Sequence, residues 1–249
     1  MKKINPKRIG HSLATLALVV LGPSAFAAST WTENLQANCS LNAHSQSCGG
    51  SPAVTVSGWS TGAGTTFAAA NVYDWASGLG VVASNEDVNA TGPHAADNIS
   101  GIDAMLVKFT GGPVNLSSLT IGWNGTDNPA GAYTDSDLSV LAWTGGASGP
   151  SMSGSGLLSS GWTLIGNYAN VGVGSNTQAI ATSTFSSYWL ISAYSTAYGT
   201  GTDLGGGNDA FKLLSIAGST ADTRVPEPGS IALLGLGLVG LMVARRRRA

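Results

Sequence analysis

The chain consists of short β-type runs cut by turn residues, and outside its two ends it has no stretch with a helical period. Residues 54–56, 104–109, 116–123, 138–143, 162–168, 188–194 and 211–216 have strand length and the Val, Ile, Leu, Trp and Tyr content that suits a pleated, half-buried surface. Leu119, Ile121 and Trp123 alternate with Ser118, Thr120 and Gly122. Successive side chains of a strand point to opposite faces, so this alternation predicts an apolar face and a polar one. Gly111-Gly112-Pro113 and segments 124–129, 145–150 and 205–209 supply turn chemistry between the runs. The pattern predicts an all-β body without internal repeats, a two-sheet antiparallel β-sandwich with the jelly roll as one form of it.

Composition agrees with a folded, exported body. Apolar residues make up 43% of the chain, with 7 Trp and 6 Tyr, enough to fill a core, and a body at 28–219 fits one domain. Charged residues are only 10%, against roughly 25% in ordinary domains. Ser, Thr, Asn and Gly must therefore solvate the surface. That composition suits a polysaccharide-rich exterior, and economy of secretion explains it equally well.

The N-terminus reads as a secretory signal peptide at residues 1–27. Lys2, Lys3, Lys7 and Arg8 form a basic region, 13–21 an apolar region, and Ala25-Phe26-Ala27 a small-x-small cleavage site. An uncleaved anchor is the alternative, but the apolar run is short and is closed by Gly22-Pro23. The implied partners are the Sec translocon and signal peptidase. Without the leader and the last 24 residues, the body keeps three bases, Lys108, Lys212 and Arg224, against twelve acids, a formal charge of −9. Such a body cannot neutralise a row of phosphates, which excludes nucleic acid as a partner class.

The C-terminus has a different composition. After a linker at 220–225 come Pro226-Glu227-Pro228, an apolar stretch at 231–244, and Arg245, Arg246, Arg247 and Arg248. A helix over 231–244 would rise roughly 21 Å, short of the roughly 30 Å hydrocarbon layer, and is a marginal single membrane span. The arginines act as a membrane stop and place the C-terminus on the cytoplasmic side. Tripeptide, short helix and Arg cluster, in that order, resemble the PEP-CTERM sorting signal of Gram-negative bacteria. The resemblance implies export, a transient inner-membrane anchor, and an exosortase that recognises Pro226, Glu227 and Pro228, cuts near them and passes the protein to the cell surface or extracellular matrix. Such tails also go by the label "ice-binding protein C-terminal", which implies no ice binding by the body.

The body is itself similar to a family of exosortase-dependent surface proteins. The likeness lies in Gly101-Ile102-Asp103, Thr120-Ile121-Gly122-Trp123, Asp135-Ser136-Asp137-Leu138, Tyr188-Trp189-Leu190-Ile191 and Gly207-Asn208-Asp209-Ala210-Phe211. It implies surface display and supplies no catalytic residues.

Cys39 and Cys48 are the two cysteines. In an exported chain a lone pair reads as a disulfide, and closing a loop of about ten residues contributes on the order of 2 to 3 kcal/mol. His44 lies between them, but a zinc site would lack a fourth ligand.

Two motifs match catalytic patterns by letter. Gly58-Trp59-Ser60-Thr61-Gly62 fits the G-x-S-x-G nucleophile elbow and follows a strand, yet Ala63-Gly64-Thr65-Thr66 replaces the required helix and His94 is the sole downstream histidine. Ser60 is expected to be a surface hydroxyl on a turn, far from His94. Gly235-Leu236-Gly237-Leu238-Val239-Gly240 fits a dinucleotide fingerprint but lies in the apolar tail, with no room for an acidic ribose ligand after it. Small residues that let another membrane helix approach explain it better.

Carboxylates and aromatic rings are the remaining candidates. Asp135 and Asp137, with Asp127 and Asn128 nearby, or Asp203, Asn208 and Asp209, have the oxygens that Ca²⁺ takes six to eight of; the same residues before strands also serve as turn formers. Sequence spacing cannot place two carboxylates across a cleft for glycoside hydrolysis. Trp59, Trp75, Trp123, Trp143, Trp162 and Trp189 can stack on sugar rings or fill the core. The expectation is a non-enzymatic surface or matrix protein with no catalytic residue, metal or cofactor. A polysaccharide-binding module is the alternative, and a secreted serine esterase a remote one.

Overall fold

All seven runs expected as strands are strands in the computed structural model, which describes residues 29–39, 42–86, 94–125, 135–146, 148–152, 157–172, 175–205, 207–221 and 230–247. The leader with Ala25 and Ala27, the tripeptide Pro226-Glu227-Pro228, Asp127, Asn128 and Arg248 lie outside the described residues. The strands are β1 (Thr30–Asn34), β2 (Asn42–Ala43), β3 (Ser45–Cys48), β4 (Val54–Ser60), β5 (Ala68–Trp75), β6 (Gly78–Val82) and β7 (Ala96–Asp97). They continue with β8 (Asp103–Phe109), β9 (Val114–Asn124), β10 (Leu138–Trp143), β11 (Trp162–Tyr168), β12 (Thr177–Ala179), β13 (Tyr188–Ala193) and β14 (Ala210–Thr220). Helices α1 (Leu35–Asn38) and α2 (Ser230–Arg246) and short 3-10 helices at Leu157–Ser160 and Thr196–Tyr198 complete the regular structure of the described residues.

The two separate sheets of a sandwich are not what forms. The strands make one sheet in the order β11-β10-β13-β8-β4-β5-β6-β14-β9-β12, with β1 and β7 on β14, β2 on β5 and β3 on β4. Neighbouring strands run antiparallel throughout. The join is β5: Ala68, Ala69 and Ala70 pair with β4, whereas Asn71 to Trp75 pair with β6. Three alanines offer little side-chain bulk against a turning strand, so one strand serves both halves and the sheet folds over on itself. A bridge between Val114 and Ser186 links the halves again on the other side and makes the sheet nearly a barrel.

The space between the halves is the main core. Val56, Met105, Val107, Val140, Trp189 and Ile191 from one half meet Leu79, Leu116, Leu119, Ile121, Phe211 and Leu213 from the other. A second apolar layer covers the outer face of the first half, where Leu141, Trp162 and Leu190 pack with Phe67, Leu157 and Tyr198 from the connections between strands. β10 and β13 are thus buried on both faces, which explains why they read as near-continuous apolar runs. In β9, Leu119 and Ile121 are buried as their alternation predicts, but Trp123 is only half-buried and packs against the Lys212 ammonium, 5.6 Å from its ring centre.

Sequence patterning did not reveal β5 and β6, which are rich in Ala and Gly. β6 is buried throughout, whereas β5 is mostly exposed or half-buried and is held by its pairing with β4 and β6. The backbone at His94 lies directly over Gly80, and that at Ser77 over Gly122, so a side chain at either glycine would meet a carbonyl oxygen. Near the N-terminus, Asn34 caps α1 by accepting from the Ala37 N–H at 3.1 Å. Cys39, just after α1, is disulfide-bonded to Cys48 at the end of β3, with a Cα separation of 4.5 Å.

Helix α2 extends the expected 231–244 by a residue at the front and two at the back. Its 17 residues rise roughly 25 Å, and no helix among the described residues is long and apolar enough to cross a membrane. Leu236, Leu238, Leu241, Met242 and Val243 on it are all exposed.

Candidate functional site

Ser60 ends β4, where it is not a surface hydroxyl: it is 6% exposed. It pairs across the sheet with Asp103 on β8, and its hydroxyl donates to that carboxylate while accepting from the Gly62 N–H at 3.0 Å. A turn follows β4, not a helix. The motif's histidine, His94, stacks on Trp75 with ring centres 5.6 Å apart. The hydroxyl is therefore engaged in holding a buried acid. Burial, then the charge of Asp97, drives the Asp103 carboxyl well above the ordinary carboxylate range.

Asp103 belongs to a group with Glu86 and Asp97 whose oxygens lie within 4.8 Å of one another. This group was not foreseen, because it depends on the β4–β8 register and on a loop folding back. Its oxygens are used by the protein: Glu86 accepts from the Ala83 N–H at 2.9 Å and Asp97 from the Ile99 N–H at 3.0 Å.

The second group draws on both expected carboxylate sets. Asp135 and Asp137, before β10, and Asp209, before β14, bring oxygens within 4.8 Å of one another. Asp203 stays outside it and acts on Asp137 through charge, while Asn208 donates weakly to Asp135 at 3.5 Å. Asn98, unforeseen, closes the site: its amide donates to Asp209 and to the Tyr194 carbonyl, and its oxygen accepts from the Asp209 N–H at 2.9 Å. Asp137 accepts from the Asn170 N–H at 2.8 Å and the Gly205 N–H at 2.6 Å. The three acids thus pin four chain segments together. Asp137 and Asp209 already accept from backbone N–H groups, and Asp135 from the Asn208 amide.

Burial and the neighbouring Asp135 carboxyl push Asp209 up to about 8. The folded state then holds a proton that the unfolded chain releases near the ordinary carboxylate range. Stability is full in acid and falls as pH rises towards and through about 8, by on the order of 3 kcal/mol once coupling and relaxation take up part of the shift. Asp135→Asn puts an amide donor beside Asp209 and should flatten that slope. Thermal melts of both proteins at pH 5 and pH 9 check this; an unchanged slope in the variant would show that Asp135 does not hold the proton on Asp209.

The tryptophans divide by depth. Trp189 and Trp162 are buried, whereas Trp31, Trp59, Trp75, Trp123 and Trp143 are half-buried. Trp143 lines an open groove of about 680 Å³ together with Lys108, Phe185, Ser187 and Tyr188. That volume lies in the range of small-ligand sites, about 300–1,000 Å³.

The C-terminal candidates fall on α2 and the segment before it. Arg245 and Arg246 form its last turn and Arg247 follows, all exposed, beyond an apolar helix whose Gly235, Gly237 and Gly240 have open space beside them. Cations at a helix C-terminus complement its dipole. No curated protein matches this chain. Residues 224–248, which run from just before the tripeptide to the last arginine, match the family model described as the PEP-CTERM protein-sorting motif.

Proposed function

We propose that the chain is an exported, non-enzymatic surface or matrix protein, held briefly in the inner membrane by its tail and then processed by an exosortase. The observation that carries this is the match at 224–248, which joins the tripeptide, an apolar helix with exposed leucines and the Arg cluster in one signal. The leader at 1–27 supplies export, Pro226, Glu227 and Pro228 supply recognition, and Arg245 to Arg248 hold the C-terminus on the cytoplasmic side until cleavage. The linker expected from residue 220 starts one residue later, because Thr220 still pairs with Val114 in β14, and it separates this device from the body.

The non-enzymatic reading is supported by Ser60, whose hydroxyl is committed to Asp103 and Gly62. Nucleophile chemistry needs a base in reach of the hydroxyl and donors for an oxyanion. The test is ester hydrolysis by the purified protein and by Ser60→Ala. No turnover above background is expected from either. Because the variant leaves buried Asp103 without its hydroxyl partner, it should be destabilised by about 1 to 3 kcal/mol. That exceeds what a surface serine would cost. Turnover abolished by Ser60→Ala would replace this reading with the esterase.

The groove beside Trp143 and Tyr188 favours a second reading, in which the displayed body binds polysaccharide.

A further inference from the structure

Across adjacent strands of the outer face, Trp143 on β10 pairs with Trp162 on β11, and Tyr188 on β13 pairs with Lys108 on β8. Ala142 pairs with Trp189, so Trp143 and Tyr188 fall next to each other in the register. The result is a row of rings ending in an ammonium group. The rings are held in place before any ligand arrives. The Trp143 indole N–H donates to the Gly146 carbonyl at 2.8 Å, and Gly145 and Gly161 pack against the ring's edge so closely that a side chain at either would collide with it. Gly149 leaves room for the Tyr188 hydroxyl in the same way. Phe185 adds a further aromatic side chain at the groove, 43% exposed.

Lys108 is one of three bases in a body of formal charge −9. Its ammonium lies 5.7 Å from the centre of the Tyr188 ring, and no carboxylate among the described residues lies within ion-pair distance of it. An acidic body would readily supply such a partner, yet here the positive charge faces an open groove. The Ser187 hydroxyl, also at the groove, makes no hydrogen bond among the described residues.

We propose that this groove binds a saccharide bearing a carboxylate, a uronic acid unit. Trp143 and Tyr188 present flat apolar faces to the C–H side of a pyranose ring, Ser187 bonds a ring hydroxyl, and Lys108 takes the carboxylate. The inference rests on the polysaccharide-binding reading and narrows it to acidic polymers. Fixed rings lose little entropy on binding, which suits a site for a weakly hydrophobic ligand.

The test is calorimetric titration of the full chain in mild detergent with hexagalacturonate and with its methyl ester, which keeps the rings and removes the charge. The acid should bind at least about 5-fold more tightly than the ester in low salt, with the preference fading as salt screens it. Lys108→Met should abolish that preference and leave the ester's affinity unchanged. Trp143→Ala should weaken both ligands about 10-fold or more. Phe185→Ser, at an exposed position, should weaken both with an unaltered melting temperature, which separates loss of the site from loss of the fold. Equal affinity for acid and ester, unaffected by Lys108→Met, would overturn the acidic assignment while leaving saccharide binding in place. Binding of neither ligand would overturn both.

Discussion

Replacing Pro226-Glu227-Pro228 by three alanines should leave the protein as a membrane-associated precursor, with the surface-exposed fraction reduced at least about 10-fold. The tripeptide lies within the matched sorting signal, outside the strands that build the body. Folding should therefore be unaffected. The last residues of β14 before the tail are held by pairing with β1 and β9. Fractionation of cells with an antibody to the body, plus a melt of the detergent-extracted variant, reads both outcomes. A variant that reaches the surface as efficiently as wild type would remove the tripeptide from recognition.

The largest effect on stability is expected at Trp189. Its side chain is fully buried in the main core between β8 and β10, and its indole N–H donates to the Ser186 carbonyl at 3.0 Å. Trp189→Ala removes the bulkiest of the fully buried side chains and leaves that carbonyl only the Val114 N–H as a donor. The cost is about 3 to 5 kcal/mol, a large share of the roughly 5–15 kcal/mol that holds a domain together. The melting temperature should drop by about 10 °C. Trp189→Phe, which keeps most of the apolar volume, should lose less. A melt unchanged by the alanine would mean that the two halves of the sheet do not close on Trp189.

What could be read from the sequence depended on whether the signal was local. The runs at 138–143 and 162–168 coincide with β10 and β11, because aromatic and branched residues bounded by Gly and Ser mark a strand within a few positions. β5 and β6 escaped because alanine and glycine carry little strand preference of their own; their state comes from the backbone packed over Gly80 and from the pairing partners on either side. The continuous sheet was hidden for the same reason. Alternation assigns a residue to a face, and nothing in it says that Ala70 and Asn71 pair with different neighbours. The acidic site was half visible. Asp135 and Asp137 stood out in one set and Asp209 in another, but their meeting, and the part played by Asn98, depend on contacts spanning 72 and 111 residues. Ser60 shows the reverse error. Its motif suggested a turn hydroxyl, while the β4–β8 register buries it against Asp103.

The sorting account is tested most directly by the C-terminal mass of the wild-type protein recovered from the cell surface. Peptide mapping of that material should find a chain that ends close to Pro226-Glu227-Pro228, with helix α2 and the four arginines missing. A surface protein that keeps an intact C-terminus through Arg248 and Ala249 would contradict exosortase processing, and with it the reading of the tail as a temporary anchor.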